Sequence, residues 1–98
     1  MKYKVEIKEK AKKTLSKLDK FQSLQIYNWI VKNLDECSDP YKTGKALTGN
    51  MSGYWRYRVG AYRIIADIDE KKIKIIIVDV GHRREVYSRI NKIDFSKR

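Results

Sequence analysis

Cysteine, proline and long apolar runs are all scarce in this chain of 98 residues. Cys37 is the only cysteine, which excludes an internal disulfide and a zinc site built from several cysteines. The longest unbroken apolar run, from Ile75 to Val78, is far too short to span a membrane. The N-terminal segment MKYKVEIKEK contains no apolar signal core. We therefore expect a cytoplasmic protein without a signal peptide.

Acidic residues are also few, and arginine is missing from the first half of the chain. The 12 Asp and Glu residues face 23 Lys and Arg residues, so the formal net charge is +11. This surplus favours an anionic partner, most simply nucleic acid, although a solvated lysine surface would give the same total. Residues 1–51 carry eleven lysines and no arginine. Because the guanidinium fork suits phosphate, the later, arginine-bearing half is predicted to carry the function.

The hydrophobic pattern predicts one α+β domain over residues 1–98, in the order β-α-α-β-β-β with a short C-terminal helix. Two helices would pack on one face of a small, mainly antiparallel sheet. The second helix has a broad apolar arc, which predicts packing against both the first helix and the sheet. A short helical turn is expected near Lys45 to Leu47. The predicted elements are strand Tyr3–Ile7, helices Lys8–Leu18 and Gln22–Leu34, and strands Tyr54–Val59, Tyr62–Ile68 and Ile73–Val80.

Gly60 and Ala61 separate two alternating runs, which predicts a hairpin with a type II′ turn. In that register Arg58 lies directly across from Arg63, and both are predicted to face solvent on the side away from the core, together with Arg56. Like charges so placed destabilise a sheet by up to about 1 kcal/mol, so the pair suggests that a polyanion normally covers it. A next turn centred on Glu70 and Lys71 would pair Ile68 with Ile73 and Ile64 with Ile77.

The segment after the last predicted strand contains several side chains that could bind or react with RNA. His82, Arg83, Arg84 and Tyr87 supply an imidazole, two guanidinium groups and a phenol one strand away from the hairpin. Such a set can clamp phosphate, stack on a base and move a proton. His82 could equally be an ordinary surface histidine, and Tyr87 could cap the core.

Two segments together carry a resemblance to a known family. The segments YRVGAYR (57–63) and VGHRREVY (80–87), with KALTG (45–49) ahead of them, resemble the RelE/ParE superfamily of toxin–antitoxin toxins, and within it the RelE-type mRNA interferases. The resemblance implies a toxin that cuts mRNA in the ribosomal A site and that an antitoxin keeps silent. The implied reaction is attack of a ribose 2′-OH on the adjacent phosphate, which leaves a 2′,3′-cyclic phosphate and a 5′-OH, without a cofactor.

The resemblance also implies roles for individual residues. Arg56 and Arg58 match two functional basic positions on the second predicted strand of the chain, and Arg63 matches a phosphate-binding arginine on the third. Arg83 matches an arginine with phosphate or leaving-group duty, and Tyr87 matches a tyrosine that stacks on or orients the substrate base. Arg84 is expected to add a further phosphate contact.

The departures from the family pattern concern the proton transfers. The best-known RelE has lysines where this chain has Arg56 and Arg58, and a guanidinium is a poor proton acceptor. The spacing from Arg83 to Tyr87 is also shorter. His82 stands beside the matching arginine, where some related toxins use a histidine as the acid. Catalysis would then rest mainly on orientation and charge stabilisation, with ribosomal RNA contributing.

Two other function classes remain open from the sequence, and a partner is expected. A ParE-like chain shares the fold but inhibits DNA gyrase without being a nuclease, and a plain RNA-binding module would have no chemistry. For the toxin, the expected partners are the ribosome, mRNA and a cognate antitoxin with an acidic segment. That segment would cover part of the sheet or displace residues Ser88 to Arg98, which have an amphipathic helical pattern.

Overall fold

The structure is a computed structural model that describes residues 1–82. Within that range, two α-helices and five strands follow one another in the order β-α-α-β-β-β-β. The strands form one sheet with the spatial order β1-β5-β4-β3-β2. β1 runs parallel to β5, and the other neighbours are antiparallel. The elements are β1 (Lys4–Ile7), α1 (Glu9–Lys17), α2 (Lys20–Asn33), β2 (Lys45–Ala46), β3 (Trp55–Val59), β4 (Tyr62–Asp69) and β5 (Lys74–His82).

The α+β architecture predicted from the sequence is confirmed, with both helices on one face of the sheet. Asp19 starts α2 by accepting a hydrogen bond from the Gln22 backbone N–H at 3.0 Å, which satisfies an otherwise unpaired donor of the first turn. The helices bury one apolar side each against the aliphatic residues of the central strands. That core contains Ala11, Leu15, Ile26, Ile30, Leu34, Tyr57, Val59, Ile64, Ala66, Ile75, Ile77 and Val80.

The broad apolar arc of α2 packs only in part. Leu24 and Val31 of the predicted arc remain 55% and 63% exposed, so the prediction that the arc packs on α1 and the sheet is wrong for these two residues. Phe21, which precedes the predicted helix, is 77% exposed. Only Ile26 and Ile30 of α2 are buried. A helix lying on a sheet offers the core a single stripe, and the remaining apolar positions fall outside it.

The hairpin of β3 and β4 has the predicted register. Arg58 pairs with Arg63, and Val59 pairs with Tyr62. Gly60 has a φ of 60°, as the first central position of a type II′ turn requires. The alternation of the two strands therefore points Tyr57 and Ile64 into the core and the arginines to the other face.

The predicted register of β4 and β5 is wrong. Ile68 pairs with Ile75, two residues beyond its predicted partner Ile73. Ile77 pairs with Ala66 and not with Ile64. Ile73 adopts a left-handed φ of 55° and belongs to the turn, where the Asp69 carboxylate accepts a hydrogen bond from the Lys72 N–H at 3.0 Å. A bulge then places Val78 as an extra residue between the pairs Ala66–Ile77 and Ile65–Asp79.

Two further differences concern short segments. Lys45–Ala46 is a strand paired with β3, and not the predicted helical turn, because the backbone there bonds to the free edge of β3. The predicted C-terminal helix, with the segment Ser88 to Arg98, lies outside the described residues. No helix within residues 1–82 is long and apolar enough to cross a membrane.

Candidate nucleic-acid interface

Four cationic side chains occupy the sheet face that the helices leave uncovered. The strand pairing sets Lys45 of β2 across from Arg56 of β3, and Arg58 of β3 across from Arg63 of β4. Directly paired residues share a face, because successive side chains alternate. Lys45, Arg56, Arg58 and Arg63 together are called the arginine face below. It contains two cross-strand pairs of like charge, and each pair costs the sheet a few tenths to about 1 kcal/mol.

Arg63 does not face solvent as predicted. Its side chain is only 5% exposed, whereas Arg58 is exposed. The difference follows from strand position: β4 has β3 on one side and β5 on the other, while β2 is too short to pair with β3 at Arg58. The Arg63 Nε has no hydrogen-bond partner within residues 1–82. A buried cationic donor without a partner is costly, and an anionic oxygen would satisfy it.

An apolar floor borders the arginines on the same face. Ile65 is fully buried there, with Leu47, Met51, Tyr54 and Val78 packed around it. This floor limits the access of water to one side of the cations and so strengthens their attraction for an anion.

Asp79 lies in the same cross-strand row as Ile65 and Arg56, and it is only 1% exposed. Its Oδ1 accepts a hydrogen bond from the Val80 N–H at 2.9 Å, and its Oδ2 lies 4.0 Å from the Lys10 Nζ. The carboxylate is thus tied to β5 and to α1. Its negative charge offsets part of the cationic surplus beneath this face.

His82 is not brought together with the arginines. It pairs with Tyr62, and the two rings meet edge to face with centroids 6.2 Å apart. The Tyr62 hydroxyl donates a hydrogen bond to the Gln22 Oε1 of α2, so this pair stands on the helix-bearing face. Gly81, one residue earlier, is the partner of Arg63. Alternation therefore turns His82 away from the arginine face, and its catalytic role stays a prediction.

Three predicted site residues lie beyond the part of the chain that the structure describes. Arg83, Arg84 and Tyr87 directly follow His82, and their roles remain predictions. Conversely, the structure adds Lys45 to the site, which sequence reasoning did not select. A strand of two residues is too short to show an alternating pattern in the sequence. Only its pairing with β3 in the structure places Lys45 beside Arg56.

The phenol groups of Tyr41 and Tyr57 are hydrogen-bonded and do not serve as bases at neutral pH. The hydrogen bond from the Tyr41 hydroxyl to Glu70 Oε1, 2.6 Å long, raises the pKa of Tyr41 to about 12. Burial raises the pKa of Tyr57 still further, and its hydroxyl donates to the Pro40 carbonyl at 2.6 Å. Both groups therefore stay protonated and fix the loop that precedes β2. Within residues 1–82, no three His, Cys, Asp or Glu residues cluster to hold a metal ion.

Comparisons with known proteins agree with this architecture. The family model of the ParE toxin of the type II toxin–antitoxin system parDE matches residues 5–87. Toxin RelG of Mycobacterium tuberculosis is 33% identical over 55 residues, which cover 56% of this chain and 63% of that toxin. The chain thus matches less than two thirds of the length of this curated relative.

Solved toxin structures share the fold along most of the chain. The toxin–antitoxin complex RelBE2 from Mycobacterium tuberculosis gives a TM-score of 0.76 at 26% identity, covering 85% of this chain and 100% of that chain. The isolated RelE toxin of E. coli gives a TM-score of 0.66 at 26% identity, covering 92% of this chain and 96% of that chain.

Proposed function

The chain belongs to the ParE toxin family of type II toxin–antitoxin systems, and we propose that it acts as a ribosome-dependent mRNA endoribonuclease of the RelE type. The observation that carries the proposal is the arginine face, in which Arg63 is buried beside Arg58 and its Nε has no hydrogen-bond partner among residues 1–82. A fold maintained for stability alone gains nothing from two cross-strand pairs of like charge. The negative charge of a phosphodiester placed on this face would offset part of their repulsion.

The proposed reaction is a transesterification within the mRNA. The ribose 2′-oxygen attacks the adjacent phosphorus, its proton leaves, and the bond to the 5′-oxygen breaks. The products are a 2′,3′-cyclic phosphate and a 5′-oxygen that takes up a proton. The phosphoryl oxygens gain negative charge on the way, and fixed guanidinium groups that wait for that charge lower the barrier.

The arginines fit charge stabilisation and do not fit the role of base. Arg58 and Arg63 stay protonated at neutral pH, so neither accepts the 2′-OH proton. We assign Arg56, Arg58 and Arg63 to the phosphate, with Arg83 and Arg84 as further phosphate contacts. Tyr87 is proposed to stack on the base and so align the 2′-oxygen with the phosphorus.

His82 is the least supported of the proposed catalytic residues. Its ring lies against Tyr62 on the helix-bearing face, so it would have to turn around the end of β5 to reach a phosphate on the arginine face. The acid and base are then better sought in ribosomal RNA or in the residues after His82.

A cognate antitoxin is the proposed protein partner. One solved relative is a complex of a toxin with its antitoxin, and the chain's charge of +11 suits an acidic segment. An acidic helix that covers the arginine face would satisfy the same guanidinium groups as the RNA does. The antitoxin and mRNA would therefore compete, in the cytoplasm where both ribosomes and antitoxin occur.

Gyrase inhibition is the second candidate function, because the matching family model is that of a ParE toxin. Parallel assays of the purified chain separate the two functions. One assay contains translating ribosomes with a labelled mRNA, and the other contains DNA gyrase with relaxed plasmid. We expect codon-spaced mRNA cuts and unchanged supercoiling. Inhibited supercoiling with intact mRNA would replace the nuclease proposal by the gyrase one.

A further inference from the structure

A recess opens at the edge of the sheet, next to the arginine face. It has a volume of about 260 Å³ and is lined by Trp29, Thr43, Gly44, Lys45, Arg56 and Arg58. The recess exists because β2 contains only two residues, so β3 has no neighbouring strand beyond Arg56. Trp29 of α2 reaches the same edge from the helix-bearing side. Cations of the arginine face and an indole ring thus meet in one cavity.

The loop that forms one wall of the recess is held in place by hydrogen bonds. The Trp55 Nε1 donates to the Thr43 carbonyl at 2.8 Å, and the Tyr57 hydroxyl donates to the Pro40 carbonyl at 2.6 Å. Gly44 has a φ of 82°, and a Cβ there would lie 2.3 Å from the Arg56 carbonyl oxygen. Only glycine permits this close approach of the loop to β3. The recess is therefore formed before any ligand arrives.

The chemistry of the lining selects an anionic ligand with a flat ring. Lys45, Arg56 and Arg58 are cationic, and the lining residues within the described chain include no carboxylate. Trp29 is half-buried and keeps part of its indole at the cavity, while its other side packs on Tyr57 with ring centroids 5.6 Å apart. Aromatic rings beside cationic groups are the usual combination for single-stranded nucleic acid.

We propose that this recess binds the nucleotide next to the cleaved phosphodiester, with Lys45 on its phosphate and Trp29 against its base. The inference rests on the proposed nuclease function and extends the arginine face by one nucleotide around the edge of β3. Arg58 lines the recess and also faces Arg63, so a backbone that follows the cations passes from one position to the other. Trp29 and Lys45 are positioning residues here, since they touch the substrate away from the reacting atoms.

The test uses single-stranded RNA whose riboses carry 2′-O-methyl groups, so that binding is measured without cleavage. Affinity is followed by fluorescence anisotropy over a series of KCl concentrations. For Lys45→Gln we expect weaker binding and a salt slope lowered by about 0.7, the value for one lost phosphate contact on a single strand. Lys71→Gln is the matched control, because Lys71 is an exposed lysine in the β4–β5 turn and does not line the recess.

The tryptophan is tested in the same assay. We expect Trp29→Leu to weaken binding roughly tenfold with an unchanged salt slope, because a lost stacking contact releases no counterion. Because Trp29 also packs on Tyr57, Trp29→Phe is made in parallel. It keeps a ring and the core contact, and it should restore most of the affinity.

The outcomes separate this inference from the proposed function. If the wild-type chain cuts ribosome-bound mRNA while Lys45→Gln and Trp29→Leu both bind like the Lys71→Gln control, the recess is not a nucleotide site and the nuclease proposal stands. If the wild-type chain neither binds the RNA nor cuts ribosome-bound mRNA, both proposals are overturned.

Discussion

The two faces of the same sheet have opposite roles, although their residues alternate along the same strands. On the helix-bearing face, Ile64, Ile75 and Ile77 are fully buried and provide the core. On the other face, one residue away in β3 and β4, stand the cations of the arginine face. Residues that serve the fold and residues proposed to serve the function are thus one position apart along the same strands. Substitutions at neighbouring positions should therefore have different effects: those on the helix-bearing face should lower stability, and those on the arginine face should lower activity.

The largest effect on stability is expected for the helix-bearing face. Ile77→Ala removes a fully buried side chain opposite Ala66 and leaves a cavity, which should lower the free energy of unfolding by about 2 to 5 kcal/mol. Chemical denaturation followed by circular dichroism measures this. Ile76→Ala, at the neighbouring and only half-buried position, is the control and should cost clearly less. Equal losses would mean that the two faces are not distinct.

Arg63→Met should lower activity without lowering stability, in contrast to Ile77→Ala. It removes a buried charge whose Nε has no hydrogen-bond partner in the described part of the chain. The free energy of unfolding should therefore stay the same or rise, as for other buried charges replaced by apolar side chains. Cleavage of ribosome-bound mRNA should fall by about 100-fold or more, because one preorganised charge donor is lost. A variant that is strongly destabilised would show that Arg63 serves the fold.

The cross-strand pair of Arg58 and Arg63 should produce a smaller effect that depends on salt. Arg58→Thr relieves the like-charge contact and should raise the free energy of unfolding by a few tenths to about 1 kcal/mol at low ionic strength. The gain in stability should shrink near 1 M salt, because the Debye length there is only about 3 Å and the repulsion between the two arginines is screened. Denaturation at two salt concentrations measures both effects. A gain that does not depend on salt would point to strand propensity and not to charge.

The smallest effect is expected at the loop that borders the recess. Because the pKa of Tyr41 is raised to about 12 in the folded chain, its bond to Glu70 stabilises the fold below the usual phenol pKa, and this contribution is lost as pH rises toward 12. Tyr41→Phe should lower stability by less than about 1 kcal/mol at neutral pH. The difference between wild type and variant should vanish at high pH. A difference that is constant with pH would exclude the hydrogen bond as its cause.

The sequence was sufficient to predict the elements that carry strong local signals. The Gly60–Ala61 turn sets the register of β3 and β4, and the helical periodicities locate α1 and α2 to within two residues. The register of β4 and β5 could not be obtained in this way. It depends on a bulge at Val78 and on a left-handed Ile73, and neither residue type favours such a conformation.

The candidate site was predictable only in part for a related reason. Alternation assigns Arg56, Arg58 and Arg63 to one face, but the burial of Arg63 depends on β4 having a neighbour on both sides. The position of His82 depends on the same bulge, which shifts every later side chain of β5 to the opposite face. Lys45 entered the site through strand pairing over two residues, for which a sequence has no periodic signal.

End-group analysis of the cut mRNA shows whether the arginine face acts on a phosphodiester of mRNA. Translating ribosomes are incubated with the wild-type chain and with Arg63→Met, and the fragments are examined by primer extension and by end-specific labelling. We expect fragments with a 2′,3′-cyclic phosphate and a 5′-OH for the wild type, and a loss of about 100-fold or more in the amount of these fragments for Arg63→Met. Intact mRNA with the wild-type chain, or equal cutting by the folded variant, would contradict it.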